Sequence, residues 1–230
     1  MATSGSINFS INRNEIITEA LELLGAISFG ETPSANEITS CARTLNLMIK
    51  AWNGQGIHLW TETEMEQALV VDTNSYTLSP RPLHIKQVRF RNSDNIDWPI
   101  RIDGRSDFMQ ITNKTTPGKI SRVYYDPQLG TNNKLYVWPT PDDATDTLQI
   151  TYIRSLEDFD ASSDDADFPS EWLEAISTNL AIRIAPKYGK VLSKVNPDLI
   201  SLAQQSLIEM QLWDTESAKI RIVPETNYDD

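Results

Sequence analysis

The chain has 230 residues, 20 basic against 32 acidic, a formal charge of −12, and 40% hydrophobic residues with 12 prolines and 9 glycines. That is enough chain to bury a substantial core, its apolar runs fall short of the roughly 18–20 residues of a membrane span, and its charge repels phosphate backbones, which argues against tight nucleic-acid binding. Cys41 is the only cysteine, so an internal disulfide and a cysteine-based metal cluster are both excluded.

The start, Met1-Ala-Thr-Ser-Gly-Ser, lacks the basic residues and apolar core of a secretion signal, so the chain is expected to stay in the reducing cytoplasm where it is made. Residues 2–10 are small and polar apart from Ile7 and Phe9, the pattern of an arm that orders by docking. Asn12 with Glu15 forms a capping-box pattern that opens a first helix; Ile16, Ile17, Ala20, Leu21 and Leu24 give it an apolar stripe and Gly25 stops it. Ser34 with Glu37 repeats the signal, and Ile38, Cys41, Ala42, Leu45, Met48, Ile49 and Trp52 recur at three- and four-residue steps up to Gly54. These two helices are expected to pack as a hairpin. Cys41 falls within the stripe, which makes it a core thiol rather than a nucleophile.

After Trp60 the period changes to two. Short β-branched or aromatic runs at 65–71, 88–90, 96–102, 120–125, 135–138 and 148–153 are divided by turn-forming segments. They predict an antiparallel module of five or six strands. Ile96, Trp98, Ile100 and Ile102 alternate with polar residues, and Pro99 places that strand at an edge or a bulge. Residues 105–111 fit one helical turn between strands.

Six acids without a base, Glu157, Asp158, Asp160, Asp164, Asp165 and Asp167, then read as a solvated loop. A third helix opens at Pro169 and Ser170, carries Trp172, Ile176, Leu180 and Ile184 on one face, and kinks or ends before Pro186. Asn196 and Pro197 open the last helix, striped by Ile200, Ala203, Leu207, Met210 and Trp213. Beyond it, Ile220, Ile222 and Val223 form a short β-like run ahead of Pro224. The expected fold is therefore α+β: a bundle of about four helices (1–60 and 155–216), an inserted antiparallel β module (61–154) and a C-terminal arm (217–230).

Catalytic chemistry is not legible. His58 and His84 are the only histidines, neither has partners at triad spacing, Gly54-Gln-Gly56 is too short for a phosphate loop and lacks its lysine, and the acidic run does not follow calcium-ligand spacing. No enzyme activity, cofactor or metal is expected. A peptidoglycan hydrolase built on two carboxylates would need a singled-out pair, which the sequence does not offer.

The layout and several short pieces together resemble the head-to-tail adaptor, or tail accessory, proteins of short-tailed phages. The pieces are Asn14-Glu15-Ile-Ile-x-x-Ala20-Leu-x-Leu-Leu-Gly25, Leu45-Asn46-x-Met48-Ile-x-x-Trp52, and Phe168-Pro169-x-Glu171-Trp172 with Leu180-Ala181 and Tyr188-Gly189. The resemblance implies a virion structural protein, a ring of usually twelve copies below the portal protein, receiving tail nozzle or tail fibre proteins and continuing the DNA channel. It implies helices at the channel, a β module facing outward, and terminal arms (Ile7, Phe9, Ile220, Ile222, Val223) that bind partners. A net acidic chain suits a conduit through which DNA slides. A competing reading is a tail component whose β module binds host carbohydrate through Trp60, Trp98, Tyr124, Tyr125, Tyr136 and Trp138; cross-strand packing is the plainer use of those rings.

Overall fold

The computed structural model describes residues 5, 9–54, 59–190 and 195–213. Its compact units are formed by residues 1–44 with 169–230, and by residues 45–168.

In the helical unit, α1 (Arg13–Leu24) begins with the expected box. The Glu15 amide donates to the Asn12 side chain at 3.1 Å and the Asn12 amide donates to the Glu15 carboxylate at 2.8 Å, satisfying two donors that a helix start leaves open. Gly25 ends α1 in the left-handed region (φ 64°), where a side chain would be strained, and the Ala26 amide closes the turn on the Leu21 carbonyl at 2.9 Å. Ser34 and Glu37 cap α2 (Ala35–Asn53) in the same way, the Ser34 amide donating to the Glu37 carboxylate at 2.9 Å. The first half of α2 belongs to this unit and the second half to the other.

The stretch after Pro169 makes a 3-10 turn, Ser170–Trp172, before α4 (Leu173–Ile184). Proline at 186 cannot donate to the ladder, so α4 stops at Ile184 and a second 3-10 turn, Ala185–Tyr188, carries the chain to Gly189. The last helix, α5, spans Pro197–Trp213, and the Asn196 side chain accepts the Asp198 amide at 3.0 Å. Helix α1 lies along α4, and α4 along α5. The principal helical neighbour of α1 therefore comes from the far end of the chain, where a hairpin with α2 alone was expected. Two polar ties fix α4 on α5: the Asn179 amide group donates to the Ala203 carbonyl at 2.9 Å, and the Thr178 and Ser206 hydroxyls meet at 3.4 Å.

The other unit is a seven-stranded mixed sheet. Its strands are β1 (Glu62–Ala68), β2 (Ser75–Tyr76), β3 (His84–Arg91), β4 (Asp97–Ile102), β5 (Arg122–Asp126), β6 (Lys134–Trp138) and β7 (Thr147–Ile153), in the order β1-β7-β3-β4-β5-β6-β2. Val88, Val123, Leu135, Leu148 and Ile150 are fully or almost fully buried and form the centre of its core. The expectation of a bundle of about four helices with a purely antiparallel insertion is corrected here. Five helices are found among the described residues, the sheet is curled and mixed, and it is a principal body of the protein rather than a small module.

The reason lies at β4 and β5, which pair in parallel through Arg101 with Arg122 and Ile102 with Val123. Parallel neighbours need a crossover. It contains α3 (Arg105–Met109), whose buried Phe108 lies 5.8 Å from the Tyr124 ring and 6.2 Å from the Tyr136 ring. Pro99 pairs with Arg89 of β3, while β5 reaches only Arg101 and Ile102, so the ring of Pro99 has no ladder partner on its other side. Only Ile100 of the alternating β4 residues is buried; Ile96, Trp98 and Ile102 are exposed.

Candidate functional site

Periodicity assigns each helix one core face, but α1 and α5 carry apolar residues off that face. In α1, Glu15, Glu19 and Leu23 follow at four-residue steps and so make a second row along the helix. This row, the first turns of α4 and one residue of α5 enclose a groove of about 450 Å³, lined by Leu23, Leu173, Ser177, Thr178 and Leu202. Phe9 and Ile11 stand at the end where the chain enters α1.

The groove is apolar inside and acidic at its rim. Leu173 is buried and supplies its wall, whereas Leu23 and Leu202 remain 38% and 40% exposed, and Phe9 is 69% exposed. Exposed apolar side chains gathered around one concavity, unlike scattered ones, mark an interaction surface. Glu15, Glu19 and Glu174 border it, and among the described residues no basic residue lines it. Among the described residues, neither Glu19 nor Glu174 takes part in an ion pair. The buried hydroxyl of Thr178 is spent internally on the Glu174 carbonyl, at 2.8 Å, and on Ser206. The arrangement fits an apolar side chain or segment flanked by positive charge.

Of the five residues expected to bind partners, the structure places Phe9 at this groove; Ile7, Ile220, Ile222 and Val223 lie outside the described residues. The groove itself was missed in the sequence. Its only local signal is that Leu23 and Leu202 fall one position off the apolar stripes of their helices.

The remaining sequence candidates resolve into structural roles. Cys41 is buried and burial pushes its thiol up, the opposite of an activated nucleophile. His84 is an exposed first residue of β3, and His58 lies outside the described residues. Tyr124 and Tyr136, directly paired in β5 and β6, stack at 5.9 Å with 12° between their planes, and Trp60 and Trp138 each donate to a backbone carbonyl. These four rings thus take part in packing or hydrogen bonds, whereas Trp98 stays exposed. Among the described residues no group of three or more His, Cys, Asp or Glu side chains could hold a metal ion, and no helix is long and apolar enough to cross a membrane.

The acidic run is more than a solvated loop. Asp158 pairs with Lys50 at 2.9 Å, Asp164 accepts the Asp160 amide at 2.8 Å, and Asp167 is gripped by Arg154.

The chain thus combines a helical unit that carries an apolar, acid-rimmed groove with a unit built on a mixed sheet. A model of the SU10 adaptor protein family matches residues 11–219, nearly the whole chain, and the chain belongs to that family. The resemblance to head-to-tail adaptors is borne out, and the protein is a structural adaptor of the phage-virion class. No curated protein matches it in sequence. Among solved structures it is similar to a chain described as "Neck of empty GTA particle computed with C6 symmetry", at 10% identity and a TM-score of 0.30 over 90% of this chain and 91% of that one, a loose likeness.

Proposed function

We propose that this adaptor assembles as a ring, a homo-dodecamer, beneath the portal protein of a virion, joins the head to tail nozzle or tail fibre proteins, and continues the channel through which DNA leaves. Membership of the SU10 adaptor protein family over residues 11–219 carries this reading. Two physical features support it. The net charge of −12 disfavours adhesion of DNA to a channel wall, because phosphates are held chiefly by lysine and arginine. The Phe9 arm and the acid-rimmed groove supply surfaces that a protomer exposes before assembly and buries within it. DNA passes without specific binding, and the terminal arms carrying Ile7, Phe9, Ile220, Ile222 and Val223 are the partner-binding elements.

The test is to mix the purified chain with the portal protein and follow mass by light scattering and shape by electron microscopy. Rings seated on the portal are expected. A chain that stays monomeric and unattached at micromolar concentration contradicts the proposal.

A further inference from the structure

The acid-rimmed groove fits an apolar side chain flanked by positive charge, and α2 carries such a group on its outward face. Arg43 and Leu47 are four residues apart and so stand on one side of that helix, both exposed, Leu47 by 65%. The Lys187 ammonium is held against α2 by the Ser40 carbonyl and hydroxyl, at 2.7 and 3.0 Å, and by the Thr44 hydroxyl. Among the described residues neither Arg43 nor Lys187 takes part in an ion pair, whereas Lys50, further along the same face, is spent on Asp158. Two cations without a counter-charge thus accompany an exposed leucine, as two such acids, Glu19 and Glu174, accompany the exposed leucines of the groove.

Glu174 and Lys187 stand at opposite ends of α4. Glu174 lies in its first turn and Lys187 just beyond its last, and a helix of 12 residues is about 18 Å long at ~1.5 Å per residue. A contact between unlike surfaces leaves one of each free on the joined pair. Further copies therefore add head to tail, and such heterologous contacts close into a ring when the rotation between copies permits it.

We propose that α2 of one copy seats in the groove of the next, with Leu47 against Leu23 and Leu202, and Arg43 and Lys187 against Glu19 and Glu174. This contact rests on the ring reading and names the surfaces that join its subunits. It covers, in the assembly, apolar side chains that each free protomer exposes.

Charge reversal in full-length chains assembled with the portal protein tests it. Glu19→Lys with Glu174→Lys makes both surfaces basic, and Arg43→Glu with Lys187→Glu makes both acidic. Each variant alone is expected to raise the concentration needed for ring formation by at least about tenfold, because like charges then meet across the contact. An equimolar mixture of the two is expected to restore assembly, since copies alternate and every contact again joins unlike charges. Circular dichroism checks each fold, and Arg43→Glu alone serves if Lys187→Glu disturbs α2. In a Cys41→Ala chain carrying Leu47→Cys and Leu202→Cys, mild oxidation of the rings should give a ladder of disulfide-linked multimers. Rings that form unchanged in either reversed variant, that do not return in the mixture, or that yield no ladder would overturn this contact and leave the ring proposal standing. A monomer-sized disulfide product would place the contact within one chain and overturn it as well. If the parent chain forms no ring with the portal protein, the ring reading falls and this contact falls with it.

Discussion

Arg154 holds Asp167 with both terminal guanidinium nitrogens, one at 2.7 Å, and the same carboxylate accepts the Glu157 amide at 3.1 Å. One carboxylate thus ties the end of β7 to the residues that lead into the α4 segment. The next residue, Phe168, lies 5.3 Å from the Trp60 ring and 6.3 Å from the Trp52 ring, and the Trp60 indole donates to the Asp167 carbonyl at 3.0 Å. The anchor is polar on one side and aromatic on the other.

Burial pushes the Asp167 carboxyl up, but the Arg154 hydrogen bonds and the Glu157 amide outweigh it and hold the group below the usual carboxylate range. A carboxyl depressed in the folded state stabilises above its unfolded value of about 3.9, and that contribution disappears as pH falls through the lower folded value. Asp167→Asn should cost about 1–2 kcal/mol at neutral pH, the modest end for a charge-assisted pair because water reaches both partners. The difference from the parent should shrink below about pH 4, as followed by urea denaturation across pH.

Trp172 is fully buried. Trp172→Ala should cost about 3–5 kcal/mol and lower the melting midpoint by several degrees. A shift of less than a degree or two would show that this side chain is not a core residue.

Phe108 is the part of α3 that packs on the stacked Tyr124 and Tyr136 rings, so it pins the crossover that permits a parallel β4–β5 pair. Phe108→Ala should cost about 3–5 kcal/mol, and hydrogen exchange should speed up first in residues 101–103 and 122–124. Uniform protection loss across the sheet would argue against a local pinning role.

Cys41 offers a probe of the helical unit without mutation. A buried thiol with a raised pKa should react with a thiol reagent on the order of a hundredfold more slowly in the native chain than in urea. Equal rates would place it at the surface.

Much of this fold is legible in local chemistry. The Asn12–Glu15 and Ser34–Glu37 boxes, the Asn196–Pro197 start and the stop before Pro186 depend on residues within four positions of each other, and they stand as read. What escaped depends on partners distant in sequence. Alternation at β4 and β5 specifies strands but not their relative direction, so the parallel pair was not visible, and β2 has only two residues, too few to show a period. Helix α1 meets α4 across more than a hundred residues, which no stripe can announce. The groove is harder still, because Leu23, Leu173 and Leu202 come from three helices and each looks unremarkable in its own.

Ring assembly at the portal is tested by a cryo-electron microscopy reconstruction of the neck of the intact virion. Density for this chain, its helical unit and its seven-stranded sheet each recognisable, is expected to repeat around the axis in a ring directly beneath the portal. Density for the chain at fibre tips or elsewhere in the tail, with no ring of it at the portal, would refute the proposed assembly.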